Sequence, residues 1–405
     1  MALTRLYAAI ALCVLALAPP TTAHAQEAHG SGQMSMSADG QYIAFTALGV
    51  PSSQFVLVHA PTQRATIIQG PLPHIGDLAW SADGDELTFV TSDTQTLSGE
   101  GRHVWRLRVT PQAPAIDLLA IIPNVRSPVL SADGRRLATF EGVTFDGARL
   151  GASQRAFAIF ERSLSDGVAV RRSAGHYLLG GDLSYDRAGA IYTRANHPVF
   201  AQTSVIQGMA LPGWVNRDAQ GRWSYQWSRD IRGIFSFRIL PGETQEEWPL
   251  PYPAAGVEHG GSFVQALDDG RVVLLTSSNP LRTADWYDAR GMPRRPDRSP
   301  SFDYVAYEPD GAAEILIADA LPEGRGRTGG ADISSDGRYF AQVTSVPGER
   351  RESALMYFEN GVLQHETSLT DIMRIAQTIT FAASSTPVMA VPDGAHHWPA
   401  PPPNQ

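Results

Sequence analysis

The chain predicts an all-β fold, a β-propeller built from four-stranded antiparallel blades, and three observations carry that prediction. A short sentence recurs along the 405 residues: an apolar strand, a Ser-x-Asp-Gly turn, and a second apolar strand. Its first three Asp-Gly pairs begin at positions 39, 83 and 133, spacings of 44 and 50 residues, and a period near 40–50 built from strand–turn–strand units is that of propeller blades. Several copies are followed by a second hairpin, and almost no stretch after residue 30 sustains a 3.6-residue apolar period, which leaves helical repeats without support.

Taken in order, the first copy is Met34 to Phe45, with its second hairpin in Phe55–Val58 and Ala65–Ile68. The second runs from Leu78 to Phe89, followed by Val104–Val109 and Ile116–Leu119. The third is Val129 to Phe140, followed by Phe157–Phe160 and Asp166–Val170. These give blades over about 34–72, 76–122 and 126–175, since two consecutive hairpins make one four-stranded blade. Looser copies stand at Asp182–Asp186, Arg217–Trp223 and Gln265–Gly270, and a clean one returns at Asp332–Phe340 before Met356–Glu359 and its Asn360-Gly361 turn. The stretch 180–255 is irregular and reads either as two blades, the first degenerate, or as one blade with an insertion. Ile379–Ala383 and Pro387–Val391 read as a closing blade that has lost its Asp-Gly turn, completed by the N-terminal strand. Seven copies predict seven blades, within a range of six to eight, over residues 34–392. Residues 26–33 form a short polar lead, and 393–405, with Pro399 and Pro401 to Pro403, a disordered Pro-rich tail.

The repeated polar residues read as turn chemistry. Gly40, Gly84, Gly134, Gly270 and Gly337 follow Asp39, Asp83, Asp133, Asp269 and Asp336, where a glycine supplies the positive φ that a hairpin turn needs. The Ser and Asp oxygens accept turn N–H groups, so the Ser–Asp pairs are structural and not catalytic.

The segment Leu78 to Val90, followed by His103-Val104-Trp105-Arg106-Leu107, resembles the WD40-like repeat of TolB-type periplasmic propellers, and the same repeat builds the N-terminal propeller of prolyl-oligopeptidase-type serine peptidases. The resemblance extends loosely over 34–392 and is sharp in the first three copies and the one at 332–340. It implies a fold and not an activity. A peptidase of that type would carry its Ser, Asp and His on a C-terminal hydrolase domain, which the sequence is expected to lack, as no Gly-x-Ser-x-Gly elbow occurs.

The first 25 residues read as a secretory leader: Arg5, the apolar run Leu6 to Leu17, Pro19-Pro20, and Ala23-His24-Ala25 as a cleavage site. The apolar run is too short to span a bilayer, so the expectation is an exported protein, periplasmic or secreted, that meets the membrane only through export. Cys13, the single cysteine, lies in that leader, so the mature chain would hold no disulfide and no Cys-based zinc site. All 32 basic residues are Arg and the net charge is −9, which gives no basic stripe for phosphates and argues against nucleic acid.

No phosphate loop, His-Glu-x-x-His or EF-hand loop occurs, and no cofactor or metal is expected. His396-His397 stands in the Pro-rich tail, and His74, His103, His176, His197 and His259 are scattered singly. The regions that break the repeat are the better candidates for function. Trp214, Trp223 and Trp227 alternate with Arg217 and Arg222, and Trp286-Tyr287 precedes Arg294-Arg295; Trp, Tyr and Arg are the residues that dominate binding interfaces. The sequence therefore favours an exported, monomeric, non-enzymatic propeller that binds a protein or peptide in the cell envelope. Two alternatives stay open: a catalytically silent propeller that captures peptides in its channel, and a metal-dependent propeller hydrolase or lyase with ligands gathered at the axis.

Overall fold

The computed structural model describes residues 30–48, 54–70, 74–92, 102–109, 114–145, 156–173, 176–177, 181–196, 198–199, 205–206, 209–210, 215–217, 223–225, 234–242, 246–248, 262–277, 302–308, 312–318, 320, 325, 327–347, 352–381, 387–389 and 396–398. They form a propeller of six four-stranded antiparallel blades. Blade one is β1 (Gly30–Met36), β2 (Tyr42–Leu48), β3 (Gln54–His59) and β4 (Arg64–Gln69). Blade two is β5 (His74–Trp80), β6 (Glu86–Ser92), β7 (Arg102–Arg108) and β8 (Ala115–Ile122). Blade three is β9 (Val125–Leu130), β10 (Arg136–Phe145) and β11 (Ala156–Ser163), with its fourth position shared by β12 (Ala169–Arg171) and β13 (His176–Tyr177).

Blade four opens with β14 (Gly181–Tyr185) and β15 (Ile191–Asn196). Five short strands then interrupt it: β16 (Pro198–Val199), β17 (Val205–Ile206), β18 (Met209–Ala210), β19 (Val215–Arg217) and β20 (Trp223–Tyr225). The blade resumes with β21 (Ile234–Ile239) and β22 (Glu246–Trp248), and β15 pairs directly with β21 across the interruption. Blade five is β23 (Ser262–Ala266), β24 (Val272–Ser277), β25 (Phe302–Tyr307) and β26 (Ala313–Ile317). Blade six is β27 (Arg327–Ile333), β28 (Tyr339–Ser345), β29 (Ser353–Glu359) and β30 (Val362–Ser368). A short helix α1 (Leu369–Ile375) and two strands, β31 (Gln377–Thr380) and β32 (His396–Trp398), follow.

Six blades fall within the expected six to eight, the stretch 180–255 is one blade with an insertion, and two corrections separate six from the favoured seven. The copy at Arg217–Trp223 is a hairpin, β19 with β20, in a two-stranded sheet of its own; hairpin chemistry is local and does not require two further strands. The expected closing blade is instead a fifth strand, β31, laid parallel on the outer edge of blade one in the register Gln377↔Thr66 to Thr380↔Gln69. The first strand also starts earlier than expected, at Gly30, within the polar lead. In the stretch expected to be disordered, His396–Trp398 pairs in parallel with Val143–Phe145 of β10.

The core sits between blades, because each sheet buries both faces against its neighbours. One apolar cluster joins blades one and two through Phe55, Ile68, Trp80, Phe89 and Trp105, and another joins five and six through Tyr304, Val273, Ile333 and Phe340. Phe89 and Trp105 stack at 6.4 Å, and Tyr304 meets Phe340 at 4.1 Å, geometries in which aromatic pairs add to their burial.

The predicted turns are closed hydrogen-bond circuits. In blades one, two, three and six the Ser hydroxyl donates to the Asp carboxylate at 2.6 Å, from Ser37, Ser81, Ser131 and Ser334 to Asp39, Asp83, Asp133 and Asp336. The same hydroxyls accept N–H groups from Tyr42, Glu86, Arg136 and Tyr339 at 2.9–3.1 Å. Gly40 N–H then donates to the Ser37 carbonyl at 2.8 Å with φ +70°. Blade five keeps the Asp-Gly core, with Arg271 N–H donating to Asp269 at 3.1 Å and Gly270 N–H to the Leu267 carbonyl at 3.0 Å.

Each turn glycine also rests on the preceding blade. A Cβ on Gly84 would lie 2.7 Å from the Ala38 backbone nitrogen, on Gly134 2.9 Å from Glu86 Oε2, and on Gly189 2.6 Å from the Arg136 guanidinium. On Gly270 it would lie 3.4 Å from the Tyr192 hydroxyl and on Gly337 3.7 Å from Leu267. At Gly40 it would fall within 2.5 Å of the Tyr339 ring, in blade six. One docking scheme thus runs round the whole ring, including the place where the last blade meets the first.

Candidate partner-binding face

In an antiparallel four-stranded blade the first and third reversals lie at one end, and the second reversal lies at the other. The two ends of this molecule differ sharply. The connections between first and second strands are 37–41, 81–85, 131–135, 186–190, 267–271 and 334–338, five residues in every blade. The connections between second and third strands are 49–53, 93–101, 146–155, 197–233, 278–301 and 346–352, and two of them are long: 37 residues in blade four and 24 in blade five. Blades four and five are neighbours, with Ser184 of β14 donating to Gln265 of β23 at 3.4 Å and Gly270 against Tyr192. The topology therefore roots both insertions at one end of the ring, on adjacent sheets, and the first described strand of the blade-four insertion, β16, pairs with β13 of blade three. Long connections raised on a rigid scaffold are where binding residues concentrate.

The residues predicted for binding fall on these two insertions. Arg217 and Trp223 are register partners in the β19–β20 hairpin, with Val215 opposite Tyr225. Trp214, Arg222 and Trp227 belong to the same insertion, and Trp286, Tyr287, Arg294 and Arg295 to the one in blade five; all seven lie outside the described residues. The sequence treated the two Trp/Arg regions as separate, and only the blade topology places their roots together.

The charged clusters that sequence reasoning missed serve the scaffold. Arg162 makes a two-pronged pair with Glu141, Nε to Oε1 at 2.9 Å and the second nitrogen to Oε2 at 2.6 Å, with both side chains 3% exposed. The Thr139 hydroxyl donates to the same carboxylate at 2.8 Å. Glu161 receives Arg136 at 3.0 Å, Arg172 at 3.3 Å and the Tyr185 hydroxyl at 2.7 Å. Since Tyr185 belongs to blade four, this network ties blade four to blade three at the end of the five-residue turns, opposite the larger insertion. Burial, reinforced by Glu161, pushes the Tyr185 phenol well above its ordinary value. Burial likewise pushes Tyr192 up to about 12. Carboxylates saturated by Arg and a phenol held neutral are poor acid–base groups near neutrality, so these clusters fix geometry. A buried pair of this kind is costly to break, because the surviving charge is left without its partner.

Asp332 was also missed. It is 4% exposed and its carboxylate accepts the Met36 N–H of blade one at 2.7 Å and its neighbour Ile333 N–H at 2.8 Å. No sequence signal separates it from any other Asp at a strand end. Among the described residues no three His, Cys, Asp or Glu side chains converge into a metal site, and no helix is long and apolar enough to cross a membrane.

No family model and no curated protein matches the chain. Among solved structures it is similar to TolB from Acinetobacter baumannii, at 10% identity and a TM-score of 0.45 over 84% of this chain. The chain spans 63% of the length of that TolB. It is also similar to the β-propeller domain of the Trilobed protease from Pyrococcus furiosus, at 12% identity and a TM-score of 0.45 over 85% of this chain and 99% of that one. An oligogalacturonate lyase in complex with manganese matches at 13% identity and a TM-score of 0.41, over 82% of this chain and 75% of the lyase. At these identities nothing about activity or partner is carried over, and the propeller architecture rests on the chain's own sheets.

Proposed function

We propose that this protein is an exported, non-enzymatic propeller that binds a protein or peptide partner in the cell envelope through the end carrying the blade-four and blade-five insertions. The observation that supports the reading is the asymmetry of the reversals: six five-residue turns at one end, and 37- and 24-residue insertions on adjacent blades at the other. The insertions hold Trp214, Arg217, Arg222, Trp223 and Trp227 on one side and Trp286, Tyr287, Arg294 and Arg295 on the other. Aromatic side chains supply large contact area with few rotamers to immobilise, and Arg adds forked hydrogen bonding. Export rests on the leader-like residues 1–25.

The test is capture from native envelope extract with residues 26–405 as bait, beside the Trp286→Ala/Arg294→Ala double variant. The captured partner is then purified and its affinity measured for both baits. A partner held by the natural sequence and weakened at least tenfold by the double variant supports the reading. Equal affinity for both baits rejects this end as the site.

A further inference from the structure

Five of the six seams between blades are crossed by the chain in one way, from the outer strand of one blade to the inner strand of the next. The seam between blades six and one is different. Blade one and blade six are each complete with four strands of their own, so no strand is exchanged to close the ring. Side-chain latches span it: Asp332 to Met36 N–H at 2.7 Å, the Tyr357 hydroxyl to the Gly40 carbonyl at 3.1 Å, and the Thr367 hydroxyl to Gln63 at 2.7 Å. The chain beyond β30 then crosses the same seam on the outside. In α1, Leu369, Ile372 and Met373 pack into a cluster shared by Val56 and Ile67 of blade one and Val343 and Leu355 of blade six. β31 pairs in parallel with β4, and Phe381 N–H donates to the Gln69 carbonyl at 3.3 Å.

The Phe381 ring enters the next seam as a wedge. It meets Phe89 edge-on at 5.7 Å and Trp105 at 4.8 Å, both in blade two. Gly70 leaves room for it, since a Cβ there would stand 3.2 Å from the tip of the Phe381 ring. Farther on, Val388 and Met389 donate to the carbonyls of Leu118 and Leu119 on the outer strand of blade two, at 2.9 and 3.0 Å, and Met389 is buried.

We infer that Leu369–Phe381, together with Val388 and Met389, acts as a clasp: it holds the ring shut by adding a fifth strand to blade one, and disengaging it opens the seam between blades six and one in preference to the others. The physical basis is effective concentration. Tethering the outer edge of blade one to blade six makes reclosure of that seam an intramolecular event. Without the tether, the seam keeps its latches, its glycine contact and the apolar packing of Met36, Ile43 and Phe45 on Val343 and Leu355, but it becomes the one seam that no continuous stretch of chain crosses.

The experiment is hydrogen exchange followed by mass spectrometry on the full chain, comparing the natural sequence with Phe381→Ala and Ile379→Pro. In a parallel ladder alternate residues donate, so the Ile379 N–H lies in the same donor row as Phe381, and proline removes it. The expected result is exchange at least tenfold faster over 30–36 and 327–345 in both variants, with 181–196 and 262–277 within twofold of the natural chain. If Ile379→Pro fails to accumulate as folded protein, Phe381→Ala, which keeps the backbone donors, decides. Faster exchange confined to 377–381, faster exchange confined to the blade one–two seam that Phe381 fills (54–70, 86–92 and 102–108), uniform loosening of all blades, or no change anywhere would each overturn the clasp.

Discussion

The two ends of the ring obey different rules. At one end the first and second strands of every blade are joined in five residues, and the glycine of each of those turns sits against the blade before it. At the other end the corresponding connections run from five residues to 37. The first end is constrained twice, by its own hydrogen-bond circuit and by its neighbour, so neither length nor side chain can vary without disturbing a seam. At the second end the connection lengths are not held to one value, and the described parts of the longest pair with blade three or with themselves. Regularity in the sequence therefore marks the end that docks blade on blade, and the places where the repeat breaks mark the end we propose for recognition.

The sharpest test of that contrast is Gly84→Ala. It forces an L-residue to φ +83° and drives a methyl to 2.7 Å from the Ala38 nitrogen. The expected loss is about 2–3 kcal/mol, read as a fall in denaturation midpoint, with partner affinity unchanged. Trp286→Ala with Arg294→Ala gives the mirror image: affinity at least tenfold weaker, about 1.4 kcal/mol, with the midpoint unmoved. A double variant that unfolds the chain would break the comparison. Ser131→Ala removes both halves of one turn circuit, the donation to Asp133 and the acceptance from Arg136 N–H, and costs about 1 kcal/mol near neutral pH.

The smallest effect is on the acid limb of stability. The Ser131 hydroxyl, with the Arg135 N–H, holds the Asp133 carboxyl below the ordinary carboxylate range. A carboxylate that is more acidic when folded contributes fully above its unfolded value, about 3.9, and the contribution is lost as pH falls through the folded value. Melting from pH 6 to pH 3 should therefore show a shallower decline for Ser131→Ala than for the natural chain. Parallel declines would remove the turn from the acid response.

The propeller was legible because its turns need particular residues. Ser37, Asp39 and Gly40 each have a task that few residues can do, so blades one, two, three and six carry the same letters. Blade four was harder to read because Asp186 takes the place of the turn Ser and accepts the Ala190 N–H itself at 2.8 Å. The hairpin at Arg217–Trp223 was miscounted as a blade because Asp218 and Gly221 imitate the turn, and a hairpin says nothing about whether a second one will join it. The clasp was misread for a related reason. Ile379-Thr380-Phe381 alternates as any strand does, and alternation does not name the strand's partner, which here is β4, over 300 residues earlier. The candidate site was legible only in composition: Trp and Arg stood out, but their common end of the ring came from strand order.

The five-residue turns also bear on engineering. A foreign segment grafted between Ser37 and Tyr42 would have to displace Gly40 from Tyr339, which a Cβ there would approach within 2.5 Å, and would pry two sheets apart. The reversals at Gly242 and Gly361, by contrast, have open space beside them. A reporter or affinity module mounted there would leave the wheel itself untouched.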